Sequence, residues 1–321
     1  MTLREKLKNI ENKIDIVCND IFGGVNTKNT IPIYKSKRKN TKISKEIQKK
    51  TTIIFSGGGV KGIVYVGVIR ALEESKIINN IDTFVGTSIG SFILSMYLLG
   101  YNGQEMYEFI TNFDLSRLKC TNILSFFENY GLDKGEGLEY VLKRLIVARG
   151  HDENITLKEL FYITKKKLTI TTVCLNTLEI CYMTHENYPD LELYKAVRMS
   201  ASIPIFYTPV IYKDQYYIDG ACMDNYPMNL FRNKLDKVLG FYILSNNVYM
   251  KDINNLEQYI LRIICSLIEG NDMNCIRAYK DYTVSLFIDN VSSIDFNLNK
   301  EQIVNIINLG YDQTMQYILE K

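Results

Sequence analysis

Ser88 sits between two glycines at the end of an apolar run, in Val85-Gly86-Thr87-Ser88-Ile89-Gly90. A serine at this spacing can act as a nucleophile: a tight strand-to-helix turn holds its Oγ clear of the sheet, and Gly86 and Gly90 leave room for the turn. The helix that follows points its N-terminus at the serine and favours negative charge developing there. Upstream, Ser56-Gly57-Gly58-Gly59-Val60-Lys61-Gly62 closes another apolar run. Consecutive glycines present bare backbone N–H groups that can approach an oxyanion closely. A nucleophile and an anion-stabilising loop are two of the three parts that acyl transfer requires.

The glycine loop has a rival reading. Gly57, Gly59 and Gly62 match G-x-G-x-x-G, the fingerprint of a dinucleotide-binding oxidoreductase. That fingerprint needs an acidic residue where the next strand ends. Here the strand ends in Val85-Gly86-Thr87-Ser88, and Asp82 stands at its start. A P-loop fails because Ile63 occupies the lysine position.

The third part is a base. The chain has two histidines, His151 in a charged run and His185 in a turn, and none follows position 185. A Ser–Asp–His triad in α/β-hydrolase order wants its histidine late in the chain. A carboxylate is the alternative: Tyr216-Tyr217-Ile218-Asp219-Gly220-Ala221 is an apolar run ending in Asp219 before small residues. On local grounds Asp219 serves either as that base or as the first residue of an Asx-type turn.

GGGVKG, GTSIG and DGA thus stand in order, joined by Arg198-Met199-Ser200-Ala201-Ser202-Ile203-Pro204 and Asp224-Asn225-Tyr226-Pro227. With these motifs the chain closely resembles the patatin-like phospholipase family from Thr51 to Pro227. The resemblance implies a three-layer α/β fold, with helices on both faces of a largely parallel central sheet and a nucleophile elbow. It implies Ser88 as nucleophile, Asp219 as base, and an oxyanion hole from Gly57, Gly58 and Gly59. Lys61, Gly62, Gly86, Gly90 and Gly220 support these motifs, and no histidine, metal or cofactor is required. Ala221 departs from the glycine usual in the family. Lys61 either steers an anionic phosphate or is the first exposed residue of its helix. The implied substrate is a lipid acyl ester, phospholipid above all. A catalytically silent lipid- or membrane-binding scaffold on the same fold is the alternative.

Alternating patterns supply the elements that must position these residues. Strands are expected at Thr51–Phe55, Thr83–Val85, Leu168–Cys174, Glu179–Thr184 and Phe241–Leu244. Helices are expected after the glycine loop through Leu72, after the elbow through Leu99, at Gln104–Asn112, Gly137–Ala148 and Leu157–Leu160, and near Leu256–Ile268 and Glu301–Leu319. The Leu168 and Glu179 strands pair across Asn176-Thr177. Early alternation of strand and helix argues for a parallel sheet.

Charge divides the 321 residues unevenly. Residues 1–50 carry 13 Lys/Arg against 5 Asp/Glu, net +8, and the remainder carries 25 against 31, net −6. The expected organisation is a basic arm (1–50), a catalytic core (51–235) and a C-terminal part (236–321) completing the same domain. In the arm, Leu3, Leu7, Ile10, Ile14 and Val17 form an amphipathic helical stripe, and Lys35 to Lys50 reads as a solvated basic linker. The stripe either docks on the body of the protein or, with the basic charge beside it, meets an anionic membrane surface, and no nucleic-acid partner is expected. Seven cysteines without C-x-x-C spacing and no apolar N-terminal segment point to a cytoplasmic or peripheral membrane setting. The uncharged stretch Thr83–Gln104 is broken by glycines and reads as strand, turn and buried helix rather than a membrane span.

Overall fold

The computed structural model describes residues 44–244, 253–254, 256–289 and 291–321. The amphipathic stripe and most of the basic run lie outside these residues. The end of that run, however, is not solvated: Ile47 and Lys50 are buried, and the Lys50 ammonium lies over the Tyr282 ring. Burial also pulls the Lys50 pKa below its usual value.

The parallel sheet forms because short apolar strands alternate with helices long enough to cross over it. β1 (Thr52–Phe55) leads through the glycine loop, a 3₁₀ turn and α1 (Val64–Glu74) to β2 (Thr83–Thr87). α2 (Ile89–Leu98) starts directly at the elbow, followed by α3 (Gly103–Asn112). The segment to the next sheet strand holds α4 (Ile123–Asn129), β3 (Gly131–Asp133), α5 (Glu136–Ala148) and α6 (Leu157–Thr164). β4 (Lys167–Cys174) and β5 (Glu179–Met183) form the expected hairpin. α7 (Leu193–Ser200), β6 (Ile205–Tyr207), β7 (Val210–Tyr212) and β8 (Gln215–Asp219) follow, then β9 (Val238–Leu244), α8 (Leu256–Ala278), β10 (Thr283–Phe287) and α9 (Lys300–Glu320).

The sheet runs β10-β9-β1-β2-β4-β8-β7, with β5 also on β4. The first five strands are mutually parallel, and β5, β8 and β7 are antiparallel additions. Side chains alternate between two covered faces, as a buried parallel sheet requires. Ile53, Phe55, Phe84, Leu239 and Phe241 join the larger core, which includes apolar residues of α1 and α9. Ile54, Val85, Val238 and Tyr242 face the other side, against Tyr226, Met228, Cys275 and Ile276. Each such buried side chain is worth about 1.5–3 kcal/mol against exposure. No described helix is long and apolar enough to cross a membrane.

The registers along β4 place the site. Thr171 lies opposite Thr87 of β2, and Thr172 lies opposite Asp219 of β8. Both β2 and β8 share stretches of β4 with β5, so both must lie on the β4 edge away from β5. Running in opposite directions along one edge, they meet end to end, and their final residues are Thr87 and Asp219.

Candidate active site

Ser88 follows Thr87 directly, so the end-to-end junction sets it beside Asp219. The Ser88 backbone has φ +52° and ψ −124°, a conformation that costs a non-glycine residue on the order of 1–3 kcal/mol. Its neighbours hold it there. The Ser88 N–H donates to Ser200 Oγ at 2.8 Å, and Ser200 Oγ donates to the Thr171 carbonyl at 2.6 Å. Ser91 Oγ donates to the Ser88 carbonyl at 2.6 Å. The flanking glycines are steric requirements: a Cβ at Gly86 would fall 2.5 Å from Ser91 N, and one at Gly90 would fall 2.6 Å from the Phe55 carbonyl oxygen.

Asp219 is 2% exposed and Ser88 4%. The Asp219 carboxylate accepts the Ala221 N–H at 2.9 Å, and the Ser88 side chain lies beside it. Burial outweighs the pull of both neighbours and pushes its pKa up to about 7. The Asp219 N–H donates to the Ser202 carbonyl at 2.9 Å. Segment 198–204 therefore holds both ends of the pair, Ser200 the serine and Ser202 the aspartate. The buried Arg198 guanidinium ties the segment down by donating to Ser202 Oγ and to the carbonyls of Lys134 (2.9 Å) and Thr208 (3.1 Å). Gly220 passes tightly over the Thr171 carbonyl, and Gly62 packs on Ile89 at the start of α2.

The glycine loop lies against Ser88: a Cβ at Gly57 would come 3.2 Å from Ser88 Cβ. Its donors are not equivalent. The Gly57 N–H is already bound to Asn225 Oδ1 at 2.9 Å. Among the described residues no hydrogen bond takes the N–H of Gly58 or Gly59. Gly59 has φ +56° and approaches the Ser293 carbonyl, which accepts the Val60 N–H at 2.8 Å. Lys61 is buried within the 3₁₀ turn Gly59–Ile63, which corrects its reading as an exposed first residue of a helix.

Asn225 stands in the Asp224–Pro227 motif, and the sequence alone assigns it no task. Its Nδ2 donates to Asp272 Oδ2 at 2.7 Å, and the Tyr242 hydroxyl donates to the same oxygen at 2.6 Å. Asp272 carried no local signal, being one acidic residue within a helix. The histidines lie elsewhere. β5 runs away from the site, its last residue Met183 opposite Ile170, and Glu186 pairs with Lys167 at the start of β4. His185 between them stacks on the Phe161 ring with centroids 3.6 Å apart, and burial lowers its pKa. The His151 N–H bonds the Ile146 carbonyl at the end of α5. No group of three or more His, Cys, Asp or Glu among the described residues is placed to hold a metal ion.

An elbow serine at the head of a mostly parallel sheet, with a buried aspartate beside it, defines an α/β protein of hydrolase-like architecture. Residues 53–232 match the Patatin-like phospholipase family, more than half of the chain, and the chain belongs to that family. It is 29% identical over 281 residues to the uncharacterized protein R571 of Acanthamoeba polyphaga mimivirus, covering 84% of this chain and 93% of that protein. It is 28% identical over 202 residues to the probable lipid hydrolase 463L of Invertebrate iridescent virus 6, covering 60% and 68% respectively. Among solved structures, VipD from Legionella pneumophila aligns with a TM-score of 0.55 at 18% identity, covering 85% of this chain and 67% of VipD. At that identity the likeness is one of fold.

Proposed function

We propose that this protein is a serine acyl hydrolase of lipid esters, phospholipids foremost, working through a Ser88–Asp219 dyad. One observation carries the reading: the elbow serine and a buried aspartate meet at the end-to-end junction of β2 and β8, and burial pushes the aspartate pKa up to about 7. An ordinary aspartate, near 3.9, is too weak a base to be useful at neutral pH. Burial removes that mismatch and brings its pKa close to the working pH, where general-base catalysis is most effective. Asp219 takes the Ser88 proton as Oγ attacks the ester carbonyl, and the Gly58 and Gly59 N–H groups receive the oxyanion. Asp219 then gives the proton to the leaving alkoxide and activates a water that frees the acyl group. Membership of a phospholipase family and the relative named a probable lipid hydrolase support the substrate class.

The test joins a covalent label to a product assay. A fluorophosphonate should label the chain at Ser88, and the protein should release fatty acid from phosphatidylcholine vesicles. Labelling elsewhere, or no fatty-acid release by correctly folded protein, sinks the proposal.

A dyad needs no imidazole. Replacing His151 and His185 together by alanine should leave turnover of a short-chain ester within about threefold of the parent. A fall beyond about a hundredfold, the scale of general-base removal, would return a histidine to the mechanism.

A further inference from the structure

The oxyanion loop is built from residues that cannot hold themselves still. Gly57, Gly58 and Gly59 lack the Cβ that confines other residues, and a glycine run samples many backbone states. Preorganised donors accelerate a reaction only when they already point where charge will develop. Something outside the loop must fix it.

Both peptide planes flanking Gly57 are pinned. Ser56 Oγ donates to the Gly57 carbonyl at 2.9 Å. Because the peptide is planar and trans, that bond also sets the direction of the Gly58 N–H on its other side. The Gly57 N–H is pinned by Asn225 Oδ1. This second bond depends on which way the Asn225 amide is turned, since a carboxamide rotated by half a turn would present NH₂ to an N–H. Asp272 decides the matter. The Asp272 oxygen accepts from the Asn225 NH₂, which leaves the amide oxygen turned to Gly57. The Tyr242 hydroxyl, donating to the same Asp272 oxygen, holds that carboxylate in place.

We infer that Asp272 is a positioning residue for the oxyanion loop, acting through Asn225. It lies on α8, beyond residues 53–232 that match the family. The chain would thus use a helix outside its family core to rigidify the part of the site made of glycines. The inference rests on the acyl-hydrolase reading above, so its test must separate the two.

The experiment compares full-length wild type, Ser88→Ala, Asp272→Ala and Asp272→Asn on a soluble short-chain ester, with a thermal melt of each. Asp272→Asn keeps an oxygen able to accept from both Asn225 and Tyr242, whereas Asp272→Ala keeps none. Expected is a fall in kcat of at least about tenfold for Asp272→Ala with KM within about twofold, a share of the loss caused by removing an oxyanion donor outright. Asp272→Asn should stay within about threefold of wild type. Equal kcat in both Asp272 variants overturns the inference while leaving the hydrolase reading intact. An inactive wild type, or a Ser88→Ala chain as active as wild type, overturns the hydrolase reading itself.

If Asp272→Ala does not fold, Asn225→Asp decides. Its carboxylate still accepts from Gly57 but confronts Asp272, so its rate relative to wild type should rise as pH drops from about 8 to about 5 and one carboxyl takes a proton. A ratio independent of pH overturns the inference.

Discussion

Ser88→Ala and Asp219→Asn should each lower ester turnover by about ten-thousandfold or more, the scale seen when a member of a nucleophile–base unit is removed. Alanine at position 88 leaves no atom to form the acyl-enzyme. Asparagine at 219 has nearly the shape of aspartate and can still accept the Ala221 N–H, but it cannot take a proton. Both chains should therefore remain folded, and circular dichroism with a thermal melt checks that. The double variant should be no slower than the worse single one, because two residues acting as a unit fail together. Near-parental turnover by either single variant on a phospholipid ester would show that the assignment of roles is wrong. Additive losses would show that the two act independently.

The main features of the fold could be read from the sequence because strand patterns and glycine punctuation are local. The strands around Phe55, Thr87 and Cys174 appear within a residue or two of expectation, though β2 continues through Gly86 and Thr87. Elements with weaker patterns were missed. β10 is five residues long, and α7 is a short helix that ends within the Arg198 motif. What stayed hidden were contacts across long separations. Gly57 and Asn225 are 168 residues apart, so nothing near the glycine loop reveals that one of its three donors is occupied. Lys50 reads as exposed because lysines usually are. It is buried against Tyr282, brought in from 232 residues further along the chain. The end-to-end meeting of β2 and β8 is likewise a matter of register along β4, which the sequence does not spell out.

The buried aspartate makes a second large prediction, in which rate and stability move in opposite directions with pH. As a base Asp219 must be ionised, and its pKa lies near 7. On a soluble uncharged ester, kcat/KM should rise about tenfold per pH unit below 7 and level off above it, so the plateau should exceed the rate at pH 5 by about a hundredfold. Stability should do the reverse. The folded state binds this proton more tightly than the unfolded state, whose aspartate titrates near 3.8. Its stabilising effect is complete below about pH 3.8 and is lost as pH rises toward and through about 7. The loss is on the order of 4 kcal/mol across that window. Asparagine at 219 carries no such titration. Asp219→Asn should therefore melt several degrees above the parent at about pH 8, the gap narrowing as pH falls toward 4. A parent whose rate is flat from pH 5 to 8, or titrates near 4, would mean that Asp219 is not the base. An Asp219→Asn chain that melts below the parent at pH 8 would mean that the ionised carboxylate is held by more than burial allows. The arrangement would then be one where function costs the fold nothing, contrary to a desolvated base whose charge is tolerated because the chemistry needs it.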